Sequence, residues 1–344
     1  MSGPQEDGVL HLVLGPAEHG VAGHALQLAA AAGEPVCHLA APSPPGADSV
    51  LDALRGPAQS RTVHLHVTDR LCGADPETAA ELVERIAAHH PLTITLHDLP
   101  QVSDGPAGFL RRSAAYRRIC AAARGVQVCS HHERELLAAV ATCACVVVPL
   151  PVPRRRMADR VALDRGVPPT VGVPTVGVLG YLYPGKGHAE VLTALDRSGR
   201  PEVALVALGR PSDGHEWLVD DLRRLAGRRS LEVTGYLDDA ELDRRILDVT
   251  VPVMAHTHVS ASGSLHRWIG CGRRPVAVAN GYTRELAEAL PGALTLTTDL
   301  CTALGRALDQ PETTWLDRDV ELPGIDAAAA AQTEAIRRAT AAFR

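Results

Sequence analysis

Thr175-Val176-Gly177-Val178-Leu179-Gly180-Tyr181-Leu182-Tyr183-Pro184-Gly185-Lys186-Gly187-His188 reads as a buried strand that delivers the chain into a glycine-rich turn, with a helix to follow. The uncharged run Thr175 to Leu179 suits a strand covered on both faces, and glycines at 180, 185 and 187 let backbone N–H groups converge on an anion. Lys186 is the only lysine in the chain. It places a compact ammonium where the rest of the protein uses guanidinium, and an ammonium in such a turn can reach a phosphate. The expectation is a phosphate-bearing ligand at residues 180–188. A surface lysine in an ordinary strand-to-helix turn fits the same letters.

The pattern repeats on both sides of this stretch. Short apolar runs at Val9 to Leu14, Pro35 to Leu39, Thr62 to Val67, Leu92 to Leu96, Val126 to Cys129 and Cys145 to Val148 alternate with helical periodicity at Val21 to Ala32, Glu77 to His90, Ala107 to Arg124 and His131 to Val140. Parallel strands joined by crossover helices, a doubly wound sheet, follow. Residues 151–174 are rich in proline and carry Arg154-Arg155-Arg156, a linker composition. The alternation then resumes, with strands expected at Thr175 to Leu179, Val203 to Leu208, Leu231 to Val233, Val249 to Met254, Pro275 to Ala279 and Ala293 to Leu296. A closing alanine-rich helix, Asp326 to Phe343, has no strand after it. The expected organisation is an N-terminal Rossmann-like domain at 1–150, the linker at 151–174, a second such domain at 175–325, and a helix at 326–344 packing back on the first. Ligands of open parallel sheets lie beyond the carboxyl ends of the strands, so two such domains predict a cleft between them.

Composition narrows the partners. The chain of 344 residues is 46% hydrophobic with a net charge of −6, which suits two buried cores and gives no global attraction to nucleic acid or an anionic membrane. No apolar run approaches the roughly 18 residues of a membrane span, and Met1 to Gly8 is polar and acidic. Small-molecule partners, no nucleic acid, no integral membrane segment and a cytoplasmic location are expected. Eight cysteines without a secretory signal suit small buried hydrophobes better than a disulfide framework. The pairs His64/His66 and His256/His258 each share a strand face, but two ligands without a third make a weak metal signal, and no metal site is expected.

Several turns carry chemistry-bearing residues. Gly15, His19 and Gly20 form a glycine-bracketed turn after the first strand, open to a ligand or to an ordinary connection. His97-Asp98 ends the fourth strand and offers an imidazole with a carboxylate to orient it, or a plain loop histidine. Ser130 and Glu133 suit a helix-capping box. Further on, Gly209-Arg210 ends a strand, and Ser260-Ala261-Ser262-Gly263-Ser264 opens a helix whose free N–H groups and dipole favour an anion.

With these residues in view, the chain resembles the GT-B glycosyltransferases, specifically the retaining group often called family 4. The likeness rests on Gly180-Tyr181 with Lys186-Gly187, Gly209-Arg210, Thr234-Gly235-Tyr236-Leu237 before an acidic helix start, Gly270-Cys271-Gly272 with Pro275-Val276, Glu285, and, in the first half, the early glycine turn, His97-Asp98 and Ser130 with Glu133. It spans nearly the full length. The resemblance implies that the second domain binds a nucleotide diphosphate sugar, with the lysine on the diphosphate, and that a small acceptor enters the cleft. Two departures stand out. An arginine expected at 181 is Tyr181, and the Glu-x7-Glu pair that contacts sugar and ribose falls on Val259 and Arg267.

The resulting expectation is a retaining, metal-independent hexosyltransferase-like enzyme with a nucleotide diphosphate sugar as donor and no cofactor. Lys186, Gly180, Gly187, Arg210, Ser262, Gly263, Ser264, Arg267 and Glu285 form the donor side, His97 and Asp98 the catalytic pair, and Gly15, His19 and Gly20 the acceptor-side loop. Arg267 is expected either on the ligand or in a salt bridge, for example to Glu285. Two alternatives stay open: a degenerate GT-B protein acting as a binding or partner subunit, and a nucleotide-sugar epimerase on the same architecture.

Overall fold

The computed structural model describes residues 8–152, 172–257, 259–317 and 320–341. Most of the stretch read as a linker, His258 of the second His-x-His pair and the last residues of the closing helix lie outside them. By contacts the chain divides into two compact units, Met1–Pro151 with Pro323–Arg344, and Val152–Leu322.

The first unit contains β1 (Val9–Leu14), α1 (Gly20–Ala32), β2 (Val36–Leu39), α2 (Ala47–Leu54), β3 (Thr62–Val67), α3 (Asp69–Cys72), α4 (Pro76–His89), β4 (Leu92–Leu96), α5 (Gly105–Ala122), β5 (Gly125–Val128), α6 (His131–Val140) and β6 (Cys145–Val147). The second contains β7 (Thr175–Leu179), α7 (His188–Arg197), β8 (Ala204–Leu208), α8 (Trp217–Ala226), β9 (Leu231–Val233), α9 (Asp239–Asp248), β10 (Val251–Met254), α10 (Gly263–Gly270), β11 (Val276–Val278), α11 (Gly281–Ala289), β12 (Thr295–Thr297) and α12 (Leu300–Asp309). The closing helix, α13 (Ile325–Ala341), belongs to the first unit. Sequence periodicity passes over α2 and the single turn α3, both short and wedged between stronger signals. No helix of the described residues is long and apolar enough to cross a membrane.

Each unit has one six-stranded, wholly parallel sheet. The orders are β2-β1-β3-β4-β5-β6 and β12-β11-β10-β7-β8-β9. In the second, the sheet's apolar strands are covered on both faces, by a cluster around Val176, Leu192 and Leu205 and by another around Leu179, Leu208 and Trp268. That is the usual condition of a parallel sheet.

The first unit departs from it. Alternation along β1, β3, β4 and β5 sends Leu10, Leu12, Leu65, Ile94, Leu96 and Val128 into one continuous core. The opposite face carries His11, His64, His66, Thr93, Thr95 and Gln127, all buried. Helices α1 and α13 cover this polar face, α13 with the small side chains of Ala328, Ala329 and Ala335 and with Gln332. Buried polar groups need partners, and several of these find one another, while His11 Nδ1 and Gln127 Oε1 have none among the described residues. His64 bonds Thr93 Oγ1 (2.9 Å) and Thr95 Oγ1 (3.1 Å), His66 Nδ1 meets His97 Nε2 (3.0 Å), and Gln332 Nε2 reaches His66 Nε2 (3.1 Å). At the margin His11 Nε2 lies 2.6 Å from Glu34, which also receives the Thr333 hydroxyl at 3.2 Å.

Candidate functional site

In the second unit, β7 lies between β10 and β8, so the strand order reverses beside it. Such a switch point is where an open parallel sheet leaves a crevice. Here the carboxyl ends of β7 and β10 feed two loops, Gly180–Gly187 into α7 and residues 255–262 into α10. The loops touch through their backbones: Thr257 N–H donates to Gly185 O at 3.0 Å. Gly187 sits at φ 101°, and a Cβ there would lie 2.4 Å from the carbonyl oxygen of Ala255. Only glycine fits such an approach in that conformation.

Lys186 crosses between these loops. Its side chain is buried, and Nζ donates to Ser264 Oγ at 3.1 Å. A Cβ on Gly180 would stand 2.9 Å from that Nζ, so glycine at the end of β7 leaves the room the ammonium occupies. Ser262 caps α10, accepting from Leu265 N–H at 3.2 Å, and its Oγ lies 3.2 Å from that of Ser264. The N-terminus of α10 therefore gathers Ser262, Gly263, Ser264 and Lys186. Burial pulls the Lys186 ammonium down to about 7.

On the loop after β8, Arg210 pairs with Asp213 at 3.0 Å and lies 5.1 Å from the centre of the Tyr181 ring. The tyrosine that stands where the resemblance expects an arginine thus supports a guanidinium from the neighbouring loop.

The two positions aligned with the absent carboxylates have been absorbed into structure. Val259 is buried in a cluster with Met254, Leu265 and Ile269. Arg267 leaves α10 to meet α9, with Asp243 at 2.6 Å and Asp239 at 3.2 Å. Its partners are these two carboxylates rather than Glu285, which lies half-buried on α11.

In the first unit Gly15 follows β1, and His19 caps α1, its Nδ1 accepting from Val21 N–H at 3.2 Å; Gly20 is the first residue of that helix. Burial, opposed by the nearby Asp98 charge, lowers His19. His97 is turned inward: Nε2 bonds His66, and Nδ1 lies 3.7 Å from Cys129 Sγ. Its orienting group is therefore His66 rather than Asp98. Burial first, then the imidazoles of His24 and His19, push His97 down to about 3.

Asp98 adopts φ 50°, a left-handed conformation strained for a residue other than glycine. Arg112 holds it, through Nη2 to the Asp98 carbonyl and at 3.3 Å to the carboxylate, while also binding Asp69 (2.9 Å) and Asp104 (2.8 Å). The Tyr116 hydroxyl donates to the carbonyls of His97 (3.0 Å) and Asp98 (3.2 Å). Sequence reading passes over Arg112, Asp69 and Asp104, because an arginine mid-helix gives no local sign of carboxylates brought to it by the fold. Ser130 caps α6 as expected, accepting from Glu133 N–H at 2.9 Å, but the Glu133 carboxylate turns to Cys129 N–H (2.5 Å). Among the described residues no group of three or more His, Cys, Asp or Glu side chains is placed to hold a metal ion.

No protein-family description and no curated protein sequence matches the chain. Solved structures do. Anabaena Alr3699/HepE in complex with UDP and glucose aligns at TM-score 0.67 and 17% identity, over 96% of this chain and 95% of that one. Sucrose-phosphate synthase from Thermosynechococcus elongatus aligns at 0.66 and 15%, over 96% and 94%. A UDP-forming α,α-trehalose-phosphate synthase from Burkholderia xenovorans aligns at 0.55 and 15%, over 86% and 74%. At these identities the likeness is one of fold: two Rossmann-like units in tandem, the GT-B architecture.

Proposed function

We propose that this GT-B chain is a glycosyltransferase that moves a sugar from a nucleoside-diphosphate donor, bound on the second unit, to a small acceptor. One observation carries the reading. A buried lysine, with no carboxylate partner among the described residues, joins two helix N-termini at the switch point of a parallel sheet. Free N–H groups, hydroxyls and an ammonium aimed at one place suit a diphosphate, and stabilise the charge that builds on it as the glycosidic bond breaks. Arg210, supported on Tyr181, adds a second cation. This set supports departure of the diphosphate without a divalent ion; retention of configuration enters the proposal only through the resemblance to family 4. Gly180 and Gly187 shape the loop, Ser262, Gly263 and Ser264 supply the helix end, and Glu285 lies on the next helix of the donor side.

On the first unit, Asp98 is held with its carboxylate about half exposed. We assign His97 and Asp98 to the loop near the transferred sugar, and Gly15, His19 and Gly20 to the acceptor side. The protein is read as cytoplasmic, with neither nucleic acid nor membrane as partner. UDP-sugars are the first donors to test, since the Anabaena structure of the same fold holds UDP and glucose.

The test is a screen of nucleoside diphosphates for thermal stabilisation, followed by turnover of the matching sugar nucleotide with candidate acceptors. Lys186→Ala is expected to weaken binding by about 1.5–3 kcal/mol, one charge-assisted contact, with the fold intact. Absence of both stabilisation and turnover across the common nucleotides would refute the reading.

A further inference from the structure

The surroundings of Lys186 determine more than where a phosphate sits. The side chain is 5% exposed. Among the described residues Nζ has one hydrogen-bond partner, Ser264 Oγ, and it lies 5.7 Å from the centre of the Tyr183 ring. No carboxylate among the described residues pairs with it. The titratable and charged groups on the elements around it are Tyr181 and Tyr183 on its own loop, His188 and the exposed Glu190 in the first turn of α7, His256 on the loop that touches Gly185, His266 and Arg267 on α10, the latter paired with Asp239 and Asp243, and Arg210 after β8, already matched by Asp213. His188 is 2% exposed, and neither of its ring nitrogens has a hydrogen-bond partner. Its sequence position sets it on the buried stripe His188, Val191, Leu192 and Leu195 that α7 turns to the sheet.

An ammonium buried without a counter-charge is disfavoured, and the neutral amine is the form such a pocket tolerates. A diphosphate supplies the missing counter-charge. We propose that anion capture by this loop is proton-coupled: as the ligand arrives, the Nζ lone pair of Lys186 takes one proton from bulk solvent, and His188 stays a neutral imidazole beside it. One N–H bond forms, the solvent or buffer gives up the proton, and no electrons are exchanged. The charge that grips the phosphates is thereby made by binding. Burial acts in the required direction, lowering Lys186 to about 7, while burial and then the Lys186 charge lower His188 to about 3. This inference rests on residues 180–188 being a diphosphate site, and its test separates the two.

The experiment is isothermal titration calorimetry of the full chain with UDP-glucose at pH 8, in buffers of different ionisation enthalpy. The phosphates of this ligand do not titrate near neutral pH, so the buffer dependence counts protons taken by the protein. An ammonium restored from a group titrating near 7 is expected to take up about 0.9 proton per ligand, and the dissociation constant is expected to rise about fivefold from pH 7 to 8 and about tenfold from 8 to 9. Lys186→Arg, whose guanidinium stays charged, is expected to bind with almost no uptake. His188→Asn is expected to keep it. UDP-glucose binding to the wild type without proton uptake overturns the inference and leaves the donor site standing, as does uptake that survives in Lys186→Arg or is lost only in His188→Asn. The wild-type proton count and pH dependence decide even where a variant does not fold. Failure of UDP-glucose to bind at all removes the diphosphate site and the inference together.

Discussion

Mild acid is expected to loosen the first unit, and the polar sheet face gives the size of the effect. His64 and His66 are fully buried and held well below the usual imidazole range, by burial first and then by neighbouring imidazoles; His97 is pushed down to about 3. From the elements packed on them, His24 of α1 faces His66 and His97, His11 of β1 faces His64, Gln332 of α13 bonds His66, and Asp98 and Glu34 are the nearby carboxylates. The sign follows from the two states. An opened or unfolded chain has imidazoles titrating near 6.5, so as pH falls below 6.5 that state binds protons first and gains on the native one. Stability is therefore full above about pH 6.5 and is lost progressively toward the native value, about 3 for His97. At pH 5.5 each imidazole that must stay neutral costs about 1.4 kcal/mol, and three cost about 4 kcal/mol. A domain has only about 5–15 kcal/mol in all.

Hydrogen exchange along α13 at pH 7.5 and 5.5, corrected for intrinsic rates, is the direct assay. All three tryptophans, Trp217, Trp268 and Trp315, lie in the second unit, so urea titration by tryptophan fluorescence follows that unit separately. His66→Asn is expected to remove about a third of the pH dependence of α13 protection. Equal protection at the two pH values, or an unchanged slope in that variant, would refute the reasoning.

Other outcomes follow from particular contacts. Arg273, wholly buried, donates to the carbonyls of Ile246 (2.9 Å), Val249 (2.6 Å) and Thr250 (3.0 Å) and stacks on Trp315, so Arg273→Met is expected to cost about 3–5 kcal/mol by urea titration of the second unit. Arg267→Gln is expected to lower stability by about 1.5–3 kcal/mol; Arg267→Glu, facing Asp239 and Asp243, lowers it further, and neither changes nucleotide affinity measured on folded protein. Gly187→Ala is expected to abolish nucleotide-induced thermal stabilisation, because the Cβ meets Ala255 O. Activity, once a donor is found, is expected to survive EDTA; loss restored by magnesium or manganese would show that a metal serves the diphosphate.

The strand pattern was legible because buried parallel strands are short apolar runs, and the glycine turn of residues 180–187 was legible because close approach leaves few residue choices. What sequence did not disclose was pairing across the fold. His64/His66 reads as a two-ligand metal candidate in isolation. Beside Thr93, Thr95 and His97 on the adjacent strand it becomes one layer of a polar face, a result of the parallel register His64↔Thr93 and His66↔Thr95. The period-two alternation in Thr62-Val63-His64-Leu65-His66 and Thr93-Ile94-Thr95-Leu96-His97 is the signal that could have found it. Arg112 and Arg267 had no such signal, since their carboxylates come from other helices and loops.

Positions 259 and 267 show why motif letters and site geometry part company. On the helix opened by the Ser262 turn, a carboxylate at 267 would be an acceptor for hydroxyls, and arginine has none to offer. The guanidinium turns instead to α9, where Asp239 and Asp243, one helical turn apart, form a matching pair. At 259 a valine lies against Met254 and Leu265 in a packed core where a carboxylate would be costly. Restoring the two glutamates would therefore break a helix contact and bury a charge. On the proposed reading, recognition of the donor then rests on the phosphates, through Lys186, Ser264 and the free end of α10, with fewer protein acceptors for sugar and ribose hydroxyls.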